Sequence, residues 1–180
     1  MTAMRVCLTG GIACGKSLVS FYLKESGVAT LDADDIVHEL LPDPAERRRL
    51  AAEVFADPEK RRALEARIHP AVKARLDAFL AEGGLRLVII PLLFEVHWEP
   101  EYDIICAVVS SRERQLSRMT AIRGYTRQEA ESRLAAQLPV EEKARRSHYV
   151  INNDSSREEL KNETEKFVRW LKNSMCSQAR

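Results

Sequence analysis

Eight residues near the start of the chain, Gly10-Gly11-Ile12-Ala13-Cys14-Gly15-Lys16-Ser17, restrict its fold more than any other stretch. They match the pattern GxxxxGK[ST]. Before them runs a short apolar segment, Met4 to Thr9 (MRVCLT), that reads as a buried strand. After them Lys16 to Lys24 carries Leu18, Val19, Phe21, Tyr22 and Leu23, which suits a helix. Glycine lets the backbone between strand and helix wrap closely and turn successive N–H groups inward, forming a nest for an anion. The helix that starts there adds its positive end. Gly11, Ile12, Ala13, Cys14, Gly15, Lys16, Ser17 and Leu18 are therefore candidates to hold the phosphates of a nucleotide. Lys16 is expected to reach the β- and γ-phosphates of ATP, and the Ser17 hydroxyl to bind Mg²⁺. Cys14, at a helix N-terminus beside Lys16, is expected to be a reactive thiol with a lowered pKa.

The rest of the chain repeats the alternation. Val28–Leu31, Leu85–Ile90, Ile104–Val109 and His148–Ile151 read as further strands, and Arg112–Ile122, Thr126–Leu138 and Ser155–Leu171 as helices, with Gly124-Tyr125 between the first two of these. The strands are continuous apolar runs, the signature of a parallel sheet covered on both faces. Between the second and third strands the text becomes helical and charged, with Pro42, Pro44, Pro58 and Pro70 each placed to start a helix. This stretch, about 36–84, is too long for a simple crossover and reads as an inserted lobe.

The 180 residues suit one domain. A net charge of +1, from 28 basic and 27 acidic residues, argues against a nucleic-acid binder. Four cysteines without a CxxC pair and four histidines without ligand spacing argue against a metal cluster or disulfide framework, and a cytoplasmic location is expected. No apolar run approaches a membrane span. Local basic clusters could still serve a small anionic ligand, and no nucleic-acid, membrane or obligate protein partner is expected.

The third apolar strand, LRLVII, ends in Pro91 where a motor or transporter ATPase has an aspartate, and no NKxD appears for guanine selection. The strand-end carboxylates are instead Asp32 and Asp34. At i and i+2 of an extended segment they share a face, and ligands of such sheets lie at the carboxyl ends of the strands. One is placed to accept a hydroxyl proton and the other to help hold Mg²⁺ through water. A competing reading makes the pair a helix N-cap.

Taken together, LTGGIACGKS, LDADDIVHEL, VFADPEKRRALEARIHP, IIPLLFE, QLSRMTAIRGYTRQEAESRLAAQLPVEEKA and YVINN, in this order, resemble the dephospho-CoA kinases. The resemblance implies an α/β P-loop NTPase fold related to nucleotide kinases, with a five-stranded parallel sheet, helices on both faces, a helical acceptor lobe and a short lid, here about 118–137. It implies transfer of the γ-phosphate of ATP to the ribose 3′-hydroxyl of dephospho-CoA. It makes Asp34 the general base, supported by Lys16 and Asp32. It sets His69 and the stretch Leu92, Leu93 and Glu95 near the acceptor, and Arg118, Arg133 and Asn152 near the nucleotide. Three departures stand out: Ala13-Cys14 in the loop, a shortened stretch between Leu41 and Arg47, and Ile122 where relatives often carry an arginine, with Arg123 one place later. A kinase for a nucleoside monophosphate, shikimate or gluconate, and a non-catalytic nucleotide-binding regulator, are the alternatives.

Overall fold

The computed structural model describes residues 4–178. Its centre is a five-stranded sheet: β1 (Val6–Gly10), β2 (Ala29–Asp32), β3 (Arg86–Ile89), β4 (Ile104–Val109) and β5 (Tyr149–Asn152). The spatial order is β2-β3-β1-β4-β5 and every pairing is parallel. β1 has β3 on one side and β4 on the other, so the chain leaving β1 emerges where the strand order reverses, the place where such sheets open a crevice.

Alternate residues feed two cores, as the period of two along a strand requires. Val6, Leu8, Leu87, Ile89, Ile104, Cys106 and Val108 face one way. There they meet Val19 and Leu23 of α1 (Lys16–Glu25) and Leu160, Phe167 and Leu171 of α8 (Arg157–Gln178). Cys7, Val88, Ile90 and Ile105 face the other way. They pack on Ile36 of α2 (Ala33–Leu40), on Val72, Leu76 and Leu80 of α4 (Pro58–Ala81), and on Phe94, Trp98 and Tyr102. Both faces are covered, which is why the strands are apolar throughout.

Between β2 and β3 the chain is helical: α2, α3 (Pro44–Ala56) and α4. Pro44 and Pro58 start helices as expected, capped by Asp43, which accepts from the Ala45 N–H, and by Asp57, which accepts from those of Glu59 and Lys60. Pro42 lies in the link before α3, and Pro70 lies inside α4, so neither starts a helix. α4 runs through Pro70 because Val72, Leu76 and Leu80, spaced by four, bury one stripe against the sheet beyond it. That packing outweighs the one backbone bond, to the Ala66 carbonyl, that proline cannot donate. The second half of α4 thus belongs to the main core.

Past β4 come α5 (Arg112–Ala121), α6 (Arg127–Ala135) and a short α7 (Val140–Arg145) that the sequence pattern does not announce. α6 begins with a capping box between Thr126 and Glu129. It stops at Ala135 rather than Leu138 because Gln137 and Leu138 are recruited elsewhere: the Gln137 side chain takes the Ile12 N–H (3.0 Å), and the Leu138 N–H donates to Glu95 (3.0 Å). No described helix is long and apolar enough to cross a membrane.

The two halves of α4 should respond differently to substitution. Leu76→Ala is expected to lower the free energy of unfolding in urea by about 2–5 kcal/mol. Arg61→Ala, which removes only an exposed i,i+4 contact with Glu65, should cost about 0.5 kcal/mol or less. Similar costs at both sites would show that α4 does not divide this way.

Candidate active site

The path from β1 to α1 is set by backbone conformations that side chains resist. Gly10 has φ +148°, and a Cβ there would lie 2.3 Å from the Val108 carbonyl oxygen. Gly15 has φ +97°, and a Cβ there would lie 2.1 Å from Asn153 Nδ2. Ala13 takes φ +58° although it is not glycine. Gly15 caps α1 without a side-chain bond, so the first N–H groups of the helix, those of Lys16 and Ser17, face the cleft with their donors open.

Side chains from other elements hold this loop. Gln115 Nε2 donates to the Ile12 carbonyl (2.8 Å) while Gln137 accepts from its N–H, so one peptide-bearing residue is gripped from both ends. Arg118 Nη1 donates to the Ala13 carbonyl (3.0 Å) and the Ser110 hydroxyl (3.2 Å), and Nη2 to the Asn153 carbonyl (2.8 Å). Asn153 Nδ2 donates to the Cys14 carbonyl (2.8 Å). Lys16 Nζ donates to the carbonyls of Gly10 (2.9 Å) and Gly11 (2.8 Å). Leu116, Met119 and Ala130 of α5 and α6 pack against Ile12 and Ala13.

The loop borders an open cleft of about 590 Å³. Gly15, Lys16, Ser17 and Leu18 line it from one side, Asp32, Asp34 and Pro91 from the ends of β2 and β3, and Arg118, Ile122, Arg123 and Gln137 from α5 and beyond. Asp32 is the N-cap of α2, its Oδ1 accepting from the Asp34 N–H at 2.9 Å. The carboxylate of Asp34 has no hydrogen-bond donor among the described residues, and Asp34 lines the cleft within electrostatic reach of Lys16. Of the two acids, then, one caps the helix and leaves the other free. Burial raises the pKa of Asp34, against the opposing pull of Lys16 and His38. Burial also raises that of Asp32, with the Asp34 N–H working the other way. Burial pushes Lys16 down to about 8, with Lys143 adding to the effect and Cys14, Asp34 and Asp32 opposing it.

Other candidate residues lie differently. Arg133 is exposed and stacks on Tyr125 (4.5 Å), away from the residues that line the cleft. Arg123 lines it instead: α5 ends at Ala121 with Ile122 as its C-cap, so the one-residue shift is taken up in loop backbone rather than as a turn of helix. Ile122 is 77% exposed at the rim. Asn152 is exposed and accepts from the Asp154 N–H, making a turn, while its neighbour Asn153 reaches the loop. Leu92 is 42% exposed next to Pro91, whereas the Leu93 side chain is buried in the core, leaving only its backbone to meet a ligand. His69 packs edge-on against Trp98 (4.8 Å), and burial lowers its pKa. Glu95 pairs with Lys143 (2.8 Å), a lysine with no exposed side-chain surface.

Sequence reading passed over Gln115, Gln137, Lys143 and Asn153. The QLP segment and the YVINN strand end carried a usable signal, because polar residues beside a glycine loop must bond something. Cys14 needs a correction. Its thiol is fully buried, and burial raises its pKa more than Lys16 and the N–H groups of Gly11 and Ser110 lower it. Burial and the raised pKa both work against the exposed, low-pKa thiolate that the sequence suggests.

The sequence profile of the dephospho-CoA kinase family matches residues 4–46 and 43–159. The chain belongs to the dephospho-CoA kinase family. The two matched stretches overlap at residues 43–46, the N-cap and first turn of α3. The chain is 39% identical to the dephospho-CoA kinase of Geobacter sulfurreducens, over 92% of this chain and 96% of that one. A crystal structure of TT1252 from Thermus thermophilus superposes with a TM-score of 0.81 and 32% identity, covering 95% of this chain and 99% of the other. A shikimate kinase from Acinetobacter baumannii shares the fold with a TM-score of 0.65 at 15% identity, covering 96% and 95%.

The burial of Cys7, Cys14 and Cys106 against the exposure of Cys176 gives a direct check. Brief treatment of the native protein with iodoacetamide, read by mass spectrometry, should label Cys176 and leave Cys14 unmodified until denaturant is added. Rapid native labelling of Cys14, suppressed by ATP, would restore the reactive thiolate.

Proposed function

We propose that this chain transfers the γ-phosphate of ATP to the ribose 3′-hydroxyl of dephospho-CoA, giving coenzyme A and ADP. The observation that carries the reading is the free carboxylate of Asp34 facing Lys16 and Ser17 across one cleft, in a chain of this family. The triphosphate lies on the open N–H groups of Gly15, Lys16 and Ser17, and Lys16 exchanges its two loop carbonyls for phosphate oxygens. Arg123 stands at the lid end of the same cleft, where it can balance charge on the transferring group. Arg118 acts mainly by bracing the loop, since Nη1 and Nη2 already bond protein oxygens.

Asp34 orients the acceptor hydroxyl in line with the γ-phosphate and takes its proton. Its raised pKa makes it a better base near neutral pH than an ordinary aspartate. The acceptor leaves the cleft past Pro91 and exposed Leu92, toward the helical segment carrying His69, which serves as the acceptor lobe, while α5 and α6 serve as the lid. Among the described residues no cluster of three or more His, Cys, Asp or Glu is close enough to hold a metal alone. Mg²⁺ needs none, because it is commonly held by one or two protein groups, substrate phosphates and water. Ser17 and the remaining oxygen of Asp32 fit that arrangement, and the ion would screen charge on the phosphates.

An ADP-release assay with dephospho-CoA, AMP, shikimate and gluconate tests the acceptor. Dephospho-CoA should give the highest kcat/KM, and a higher value for AMP would overturn the reading. Asp34→Asn keeps the size of the side chain and removes the base, so kcat should fall by about 10²–10⁴ with little change in ATP affinity. The same variant should melt no lower than the parent. A carboxylate whose pKa is raised on folding binds more protons folded than unfolded, so its ionised form at neutral pH opposes folding.

Lys16 gives a pH signature. With its pKa near 8 in the free protein, it loses its proton as pH rises through that value, and affinity for ATP should fall above it. A bound triphosphate restores the proton. Calorimetry at pH 8.5 in buffers of different ionisation enthalpy should therefore show proton uptake on ATP binding, absent in Lys16→Arg. Equal heats across buffers would remove Lys16 from phosphate contact.

A further inference from the structure

Beneath the cleft lies an ion pair that the transfer chemistry does not use. Lys143 of α7 is completely buried. Its ammonium donates to the Pro91 carbonyl (2.9 Å) and pairs with Glu95 Oε1 (2.8 Å). The same Oε1 accepts from the Leu138 N–H, and Glu95 Oε2 is buried with no partner among the described residues. The Pro91 carbonyl takes a second donor, the Thr9 hydroxyl (3.3 Å), from the strand that feeds the phosphate loop. One turn further along the chain Arg146 pairs with Glu99 and stacks on Phe94 (4.5 Å), so the 91–99 segment is held against α7 at two points.

The connections lead to both sides of the cleft. Pro91 lines the cleft beside Asp32 and Asp34. Leu138 follows Gln137, which grips the Ile12 N–H in the phosphate loop. A buried ammonium is tolerated only while its partners stay in place, so Lys143 and Glu95 hold the β3 exit and the end of the lid at a fixed separation. We infer that Lys143 and Glu95 are positioning residues, a buried clasp that sets the acceptor-facing segment 91–95 against the phosphate loop. Glu95 then acts through the protein frame and does not touch the acceptor. The inference rests on the proposed reaction.

In-line transfer is sensitive to such spacing, and a misplacement of about 1 Å can cost about 10²-fold in rate.

The test compares Glu95→Gln, Lys143→Met and the apolar pair Glu95→Leu/Lys143→Met, which removes both charges together and so avoids a stranded one. With ATP and dephospho-CoA, each folded single variant should lose about 10–10²-fold in kcat while both KM values stay within about threefold. The apolar pair should lose no more than the worse single variant, as expected for residues that act as a unit. Folded variants with kcat within about twofold of wild type would overturn the inference. So would a loss confined to KM for dephospho-CoA, which would put Glu95 on the acceptor, or failure of all three variants to fold. If wild-type protein fails to phosphorylate dephospho-CoA in this assay, the proposed reaction falls instead.

Discussion

The phosphate loop has a backbone path that its own sequence does not stabilise, and the rest of the site depends on how that path is held. Gly10, Ala13 and Gly15 all have positive φ, and the first turn of α1 keeps its donors open for an anion. Water or collapse onto neighbouring carbonyls would satisfy those donors more cheaply. What prevents this is a set of side chains from distant parts of the chain: Gln115 and Arg118 of α5, Gln137 at the end of α6, and Asn153 after β5. Each bonds a loop carbonyl or N–H, and so holds the path while the first N–H groups of α1 stay open for a ligand.

Charge around the loop follows the same logic. Lys16 is held with a lowered pKa by burial and by the cation of Lys143, and two carboxylates stand opposite with pKa values raised by burial. In the free protein none of these groups has what it needs electrostatically. In the proposed reaction a bound triphosphate would supply the negative charge that Lys16 lacks, and an accompanying cation would balance the acids. The site is therefore organised for a charged complex rather than for its own stability, as functional sites commonly are.

Much of this was readable in the sequence. The eight-residue motif fixed the strand, loop and helix around it, and the apolar runs located all five strands to within about two residues. Asp32 and Asp34 both line the cleft, but not as neighbours on one extended face: Asp32 ends β2, and Asp34 already lies in the first turn of α2, which Asp32 caps. The other failures are non-local. Cys14 looked activated because its neighbours in sequence favour a thiolate, but its exposure is set by packing that spacing cannot show. Asn152 and Asn153 are adjacent in sequence, and only the strand's twist and end decide which of them turns toward the loop. Pro70 is placed by local preference at the start of a helix, yet the buried stripe of α4 carries the helix across it. α7 is six residues long with a buried lysine, and it lacks an apolar period to announce it.

The short link between α2 and α3 limits where α3 can sit. α2 is only eight residues, fixed at its start by the Asp32 cap and buried through Ala33 and Ile36. α3 follows after Leu41–Asp43, and α3 in turn packs on α4, whose second half is part of the main core. With so short a link, the place of α3 is dictated from both ends by elements seated on the sheet. Held in this way, α3 has little freedom to move relative to the sheet. On the other side of the cleft Gly124 has φ +70° and lies between α5 and α6, with Ile122 exposed and Arg123 on the cleft wall. Tyr125, beside it, packs on Leu116, Met119 and Ala130, so that turn is seated on the phosphate loop's own support rather than on the sheet.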